Sequence, residues 1–186
     1  MQYTRRKSRN AFLPAQIRDY GRGLLRSLMK LITALTRTPS DFVLETLLEK
    51  RKAPLSAEGI HNALSDLTLH IAKDVSFCMA AFPKQDALGK SEIKAGDIDR
   101  VDIMFADDDE RYLPIFSNME KLKAFKPELR ENEAYYIADK EDLLNFLLLN
   151  GKVAACVLNP GEDDLLLHRM QLQNLIQVGK DLKNGN

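Results

Sequence analysis

Histidines and cysteines are the residues of this chain whose chemistry could support nucleophilic catalysis. Such a site needs a Ser, Cys or Thr beside a general base and an orienting group. His61 and His70 fall in one predicted helix and His168 at a strand end, with no Gly-x-Ser-x-Gly elbow or Cys/His signature. Cys78 and Cys156 lie in the apolar stretches VSFCMAAF and VAACVLN, which is typical of buried thiols. The sequence therefore predicts a protein that is not an enzyme.

Two clusters of carboxylates could offer hard oxygen ligands to Ca²⁺ or Mg²⁺. One runs from Asp107 to Glu110 and the other from Glu162 to Asp164. Neither has the Asp-x-Asp-x-Asp-Gly spacing, and no Gly-Lys-Ser/Thr phosphate loop occurs. Because Asp is favoured in turns for backbone reasons, solvated turn charge is the preferred interpretation. The sequence predicts no metal, no cofactor and no small-molecule substrate.

A turn at Asn159, Pro160 and Gly161 follows a predicted strand that is apolar throughout. The carboxyl ends of strands in open α/β sheets are where ligands tend to bind, so this turn is a candidate site on the surface. Asn-Pro-Gly is also a favourable turn sequence, and a purely structural role is the preferred interpretation. In the pair Tyr135 and Tyr136, alternate strand residues face opposite ways, which predicts one core residue rather than a binding platform.

A basic amphipathic helix is predicted between about residues 15 and 36. Arg18, Arg22, Arg26 and Lys30 recur every fourth residue and form a stripe on one face. The apolar positions show the spacing of a second face: Ile17, Leu24, Leu25, Leu28, Leu31, Ile32 and Leu35.

Charge is divided unequally along the chain. Residues 1–38 carry nine Lys/Arg and one acid, a net charge of +8, whereas the remainder carries 18 bases and 26 acids, a net charge of −8. This asymmetry indicates contact with a polyanion, an anionic lipid surface or an acidic protein face. It is equally compatible with a leucine face that packs on the body or on a second copy of the chain, with the bases as a solvated rim.

The predicted secondary structure that positions these residues changes near residue 74, from helices only to strands that alternate with helices. Apolar residues before that point have helical spacing, with helices from about 41 to 52 and from about 56 to 71. After it, strand signals at 75–82, 101–106, 111–117, 134–138, 153–159 and 165–168 alternate with shorter helices. The predicted fold is α+β, or mixed α/β, with a five-stranded mixed sheet and flanking helices. A basic N-terminal arm and helix (1–38) precedes this domain (39–186).

Three stretches in order, YLPIFSNMEKLKAF (112–125), AYYIADKEDLLNFLL (134–148) and VLNPGEDDLLL (157–167), resemble the N-terminal domain of the SseB family, named for enhanced serine sensitivity. The resemblance covers about residues 74–167. It implies a compact α/β domain of largely unassigned activity, without established catalytic residues or cofactor. The family pattern does not include the basic N-terminal helix of this chain.

These features predict a cytoplasmic interaction or regulatory module. No apolar run is long enough to span a bilayer, and no secretory leader is recognisable. In this prediction the basic helix mediates self-association or docking to a protein partner. The alternative is peripheral contact with an anionic membrane or with nucleic acid through the same helix.

Overall fold

The computed structural model describes residues 41–87, 95–105 and 110–185. The helices are α1 (Phe42–Lys52), α2 (Ala57–Ala72), α3 (Met119–Phe125), α4 (Lys140–Leu149) and α5 (Arg169–Asn184), with short 3₁₀ turns at Gln85–Ala87 and Ala95–Asp97. The strands are β1 (Phe77–Pro83), β2 (Ile98–Val101), β3 (Met104–Phe105), β4 (Arg111–Ile115), β5 (Ala134–Ala138), β6 (Val153–Leu158) and β7 (Leu165–His168).

Helices α1 and α2 form an antiparallel pair that begins the described chain. Asp41 caps α1 by accepting a hydrogen bond from the Leu44 amide at 3.0 Å. The second carboxylate oxygen of Asp41 lies 2.8 Å from His70 Nε2, near the end of α2. The start of α1 is therefore fixed to the end of α2.

The strands form two sheets that meet at one bridge. The first sheet is antiparallel in the order β2-β1-β5, and the second has the order β3-β4-β6-β7. In the second sheet β4 and β6 are parallel, so their carboxyl ends lie side by side. The amides of Cys78 and Phe116 donate to each other's carbonyls at 2.7 and 2.8 Å, and this pair of hydrogen bonds joins the two sheets.

The fold class is confirmed as mixed α/β, but the single five-stranded sheet is wrong, because seven strands form two sheets in the described chain. The predicted strand 101–106 divides between them. Val101, at the end of β2, pairs with Ala81 of β1. Met104, in β3, pairs with Tyr112 of β4. A change of partner within a few residues is a tertiary effect that local alternation does not reveal.

Both faces of the first sheet are covered. Phe77 and Met79 point into the main core, to which α1, α2, α4 and α5 all contribute. Cys78 points the other way into a smaller cluster with α3. Tyr136 packs on the main core and Tyr135 on the smaller one, so the predicted alternation is confirmed and both rings pack against apolar residues. None of the helices in the described ranges is long and apolar enough to cross a membrane.

Candidate functional site

The candidate site is a buried polar network at the carboxyl ends of β4 and β6. The Ser117 amide donates to Asn159 Oδ1 at 3.0 Å, and Asn159 Nδ2 donates to Ser117 Oγ at 2.9 Å. The same Asn159 amide group donates to Asp163 Oδ2 at 2.7 Å. Asn159 thus connects the ends of two parallel strands with the turn that follows β6.

Helix α1 is attached to this network through Glu45 and its basic C-terminal residues. Glu45 Oε1 accepts from Ser117 Oγ at 2.5 Å and from Asn118 Nδ2 at 2.7 Å. Arg51 donates to the Asp163 carbonyl, and Lys52 Nζ lies 2.9 Å from Asp163 Oδ1. These contacts hold α1 at the carboxyl ends of β4 and β6 in the second sheet.

Lys121 of α3 completes the network from the other side. Its Nζ lies 3.0 Å from Glu45 Oε2, 2.6 Å from Glu162 Oε1 and 3.6 Å from Asp163 Oδ2. Burial opposes its charge, but hydrogen bonds to Glu162 and Glu45 outweigh that cost and raise the pKa of Lys121. Lys52 and Lys121 thus form the ion pairs with the three carboxylates, while Arg51 bonds the backbone carbonyl of Asp163.

Asp163 is the charge at the centre of the network, with a side chain that has 0% of its surface exposed. Burial alone would raise its pKa. Hydrogen bonds from Asn159 and Lys52 act in the opposite direction more strongly and hold the pKa of Asp163 below its ordinary value. The pKa of Lys52 is raised by its hydrogen bonds to Asp163 and Glu49. Both groups are therefore ionised at neutral pH.

Of the predicted surface turn at Asn159, Pro160 and Gly161, Gly161 is exposed and Pro160 is partly exposed, whereas Asn159 is buried. Asn159 is only 1% exposed, because its side chain is needed between the strand ends. Gly161, with φ of 80°, lies on the exposed part of the turn. The preferred structural interpretation of this turn agrees with that arrangement, since the Asn159 side chain binds protein groups.

The basic stripe of Arg18, Arg22, Arg26 and Lys30 lies outside the described residues, as does Asp107–Asp109 of the acidic turn. Ser117, Glu45 and Lys121 were not predicted as members of a site. The available signal was that polar residues follow two apolar strands. This signal could not be used, because neither segment alone indicates that β4 and β6 pair in parallel.

Cys78 and Cys156 do not have the lowered pKa that is typical of activated thiols. Both cysteines are free and buried. Burial raises the pKa of the Cys78 thiol to about 11 and that of the Cys156 thiol to about 12. Ser117 Oγ is bonded to Glu45 and Asn159 rather than to a histidine. Within the described ranges, no group of three or more His, Cys, Asp or Glu residues is arranged to hold a metal ion.

No family model, curated protein or solved structure matches this chain. The resemblance to the SseB family therefore stays a prediction. The network at Asn159 pairs its charges internally, and its chief structural effect is to fix α1.

A second ion cluster, centred on the buried carboxylate of Glu133, has a similar character. Lys126 contacts both Asp102 and Glu133, and the Glu133 side chain is fully buried. Arg130 bonds the same two carboxylates, and its guanidinium stacks 4.7 Å from the centre of the Phe82 ring. This cluster joins β2, the end of α3 and the start of β5. It stabilises the first sheet as the Asn159 network stabilises the second.

Proposed function

We propose that this chain is a non-enzymatic interaction or regulatory module with an SseB-like α/β body. In this proposal the basic N-terminal helix mediates self-association or docking, and the protein acts in the cytoplasm. The charge division between residues 1–38 and the remainder supports it, since the two parts have complementary net charges of +8 and −8.

The observation that carries the proposal is an apolar stripe on α2 that the described body covers only in part. Ile60, Leu64, Leu67 and Ile71 are spaced by four, three and four residues and share one helical face. Leu67 and Ile71 are buried, whereas Ile60 is 46% exposed and Leu64 is 42% exposed. The first half of α2 thus presents the continuation of a core-facing stripe to an apolar partner.

The position of α1 also supports docking close to the body. Residues 1–40 join the body at Asp41, which is bonded to both Leu44 and His70. Glu45, farther along α1, is bonded to the Asn159 network. A segment that enters α1 begins beside His70, so Leu64 and Ile60 lie roughly 9 and 15 Å along α2 from its start.

The test compares the full chain with a variant in which the predicted leucine face is made polar by Leu24→Gln, Leu28→Gln, Leu31→Gln and Leu35→Gln. Light scattering after size exclusion measures mass, and hydrogen exchange measures protection of α2. We expect the variant to have a lower molar mass in solution than the full chain, or faster hydrogen exchange around Ile60 and Leu64. A third protein, with Ile60→Gln and Leu64→Gln, changes the α2 side of the proposed contact and should show the same effect. Identical molar mass and identical hydrogen exchange of α2 in all three proteins would reject the proposal.

The alternative is contact with an anionic membrane or nucleic acid, and the spacing of Arg18, Arg22, Arg26 and Lys30 favours it. Such contacts are electrostatic and weaken with salt. Binding of the full chain to phosphatidylcholine vesicles with and without phosphatidylserine, and to duplex DNA and single-stranded RNA, should be measured at low and physiological salt. Changing the four bases to Gln should abolish binding. The absence of binding at low salt would reject this alternative.

A further inference from the structure

A pocket of about 330 Å³ lies between the end of α2, the segment leading to β1, the start of α4 and the last turns of α5. Its volume is at the lower end of the range of small-ligand sites, roughly 300–1,000 Å³. Four lysines line it: Lys73, Lys140, Lys180 and Lys183. Lys140 differs from the other three because its side chain is buried.

Lys140 is a buried cation without an acidic partner among the described residues. It is only 5% exposed, and its Nζ donates to the carbonyl of Lys73 at 2.5 Å. A neutral carbonyl uses one of the three N–H groups of an ammonium and leaves its charge unpaired. Burial lowers the pKa of Lys140, although the carboxylates of Glu141, Asp74 and Asp139 oppose that shift. A buried charge of this kind is stabilised by an anion that reaches it.

Two of the acidic residues lining the pocket already have partners of their own. Asp74 pairs with Lys183 at 2.8 Å, and both side chains are largely exposed. Asp139 caps α4 by accepting from the Asp142 amide at 2.8 Å. Glu141 is the third acidic residue of the lining, and all three carboxylates attract the Lys140 ammonium without forming a direct ion pair with it.

The wall of the pocket is fixed by a close helix contact. A Cβ atom at Gly179 would lie 2.2 Å from the Ala72 carbonyl oxygen, so only glycine allows α5 to pack this closely on the end of α2. Val75 and Ile176 line the same pocket and are buried. The pocket thus combines a buried cation with a rigid apolar wall.

We propose that this pocket binds a small organic oxyanion. A phosphate or carboxylate group of the ligand accepts hydrogen bonds from the Lys140 ammonium, and the organic part packs on Val75 and Ile176. Lys180, an exposed lysine of the lining, adds long-range attraction for the anion. Binding of an oxyanion here does not depend on the proposed interaction role of the N-terminal segment.

The test is a titration of the full-length chain with inorganic phosphate and, separately, with acetate, at constant ionic strength set by sodium chloride. Backbone amide resonances locate binding. We expect saturable shifts confined to residues 72–76, 139–141 and 176–183. Shifts distributed over the exposed lysines without saturation would mean an adventitious ion only and would overturn the proposal, as would the absence of any shift.

Lys140→Met removes the charge and keeps most of the side-chain length. Its binding should be weaker by about tenfold or more, because a charge-assisted hydrogen bond is lost. Lys152→Met, at an exposed lysine before β6, is the matched control and should bind as the unmodified chain does. Equal binding by the two variants would overturn the assignment to Lys140. If Lys140→Met does not fold, the location and saturation of the shifts in the unmodified chain decide the question alone.

Discussion

Lys52 Nζ lies 2.9 Å from Asp163 Oδ1, and this ion pair connects the last residue of α1 with the turn between β6 and β7. Asp163 has no exposed side-chain surface, whereas 33% of the Lys52 side chain is exposed. The pair is therefore buried on the acidic side only. The carboxylate depends on its partners in the protein, and the lysine can still be hydrated.

Asp163→Ala should destabilise the protein by about 2 kcal/mol, since Asn159 Nδ2 would lose its charged acceptor in a buried site. Urea unfolding measures the change. The matched control is Glu162→Gln at the neighbouring carboxylate, whose contact with Lys121 is half exposed. That change should cost less than about 1 kcal/mol. Equal losses for the two variants would contradict a central role for Asp163.

Stability should fall in acid because the pKa of Glu133 is lowered in the folded protein. Burial raises this pKa, but hydrogen bonds from Lys126 and Arg130 outweigh burial. Below the ordinary value of 4.5 the unfolded chain takes up the proton first, so the stabilisation present at neutral pH is lost as pH falls through the folded pKa.

Glu133→Gln isolates this contribution. It should reduce the free energy of unfolding at about pH 7, and the difference from the unmodified chain should shrink steadily towards about pH 3. Urea unfolding across that pH range is the measurement. A difference that stays constant with pH would show that ionisation of Glu133 does not contribute.

Gly179→Ala should destabilise the protein by about 1–3 kcal/mol through overpacking, since the new Cβ meets the Ala72 carbonyl at 2.2 Å. The higher helix propensity of alanine offsets part of this cost. Gly151→Ala is the control, because a Cβ at that position meets no atom within 4 Å. Thermal unfolding of both variants checks the prediction, and a neutral Gly179→Ala would mean that α5 can shift away from α2.

The left-handed backbone of Asn159, with φ of 49°, predicts an order of stability among its variants. Asn159→Ala and Asn159→Gly both lose the bonds to Ser117 and Asp163, but alanine also bears a backbone cost of roughly 1–2 kcal/mol. Urea unfolding should therefore rank glycine above alanine by about 1 kcal/mol.

Asn132, exposed and with φ of 62°, is the control for that comparison. The same preference for glycine over alanine is expected there, without the loss of a buried network. Equal stability of the alanine and glycine variants at Asn159 would contradict the backbone argument.

Local signals predicted the helix starts well. The helices predicted from about 41 to 52 and from about 56 to 71 begin where expected, and Asp41 and Ser56 each accept a hydrogen bond from the first turn that follows. These interactions span three residues, so neighbouring sequence determines them. The strand pairings could not be predicted in this way. β1 pairs with β5 and β4 pairs with β6, and in each case intervening elements separate the partners.

The burial of Asn159 depends on the same distant pairings. Asn-Pro-Gly has the composition of an exposed turn, and nothing within it indicates that Ser117 lies 2.9 Å away. Glu45 is still farther from Asn159 in the sequence, and it meets Ser117 only after α1 packs on the second sheet. The helices of this protein are therefore readable from local sequence, whereas its polar network is a product of tertiary structure.

The pairing of β1 with β5 and of β4 with β6 also sets an order of events during synthesis. Contacts between distant segments form slowly, because loop closure precedes the gain from pairing. The α1–α2 pair is local in sequence and can assemble while later strands are still being made. β1 must remain without β5 until Ala138 has emerged from the ribosome, and β4 must wait for β6 until Leu158 has emerged. The apolar strand that contains Cys78 thus waits for β5 in the nascent chain, and its unpaired edge is prone to aggregation during that time.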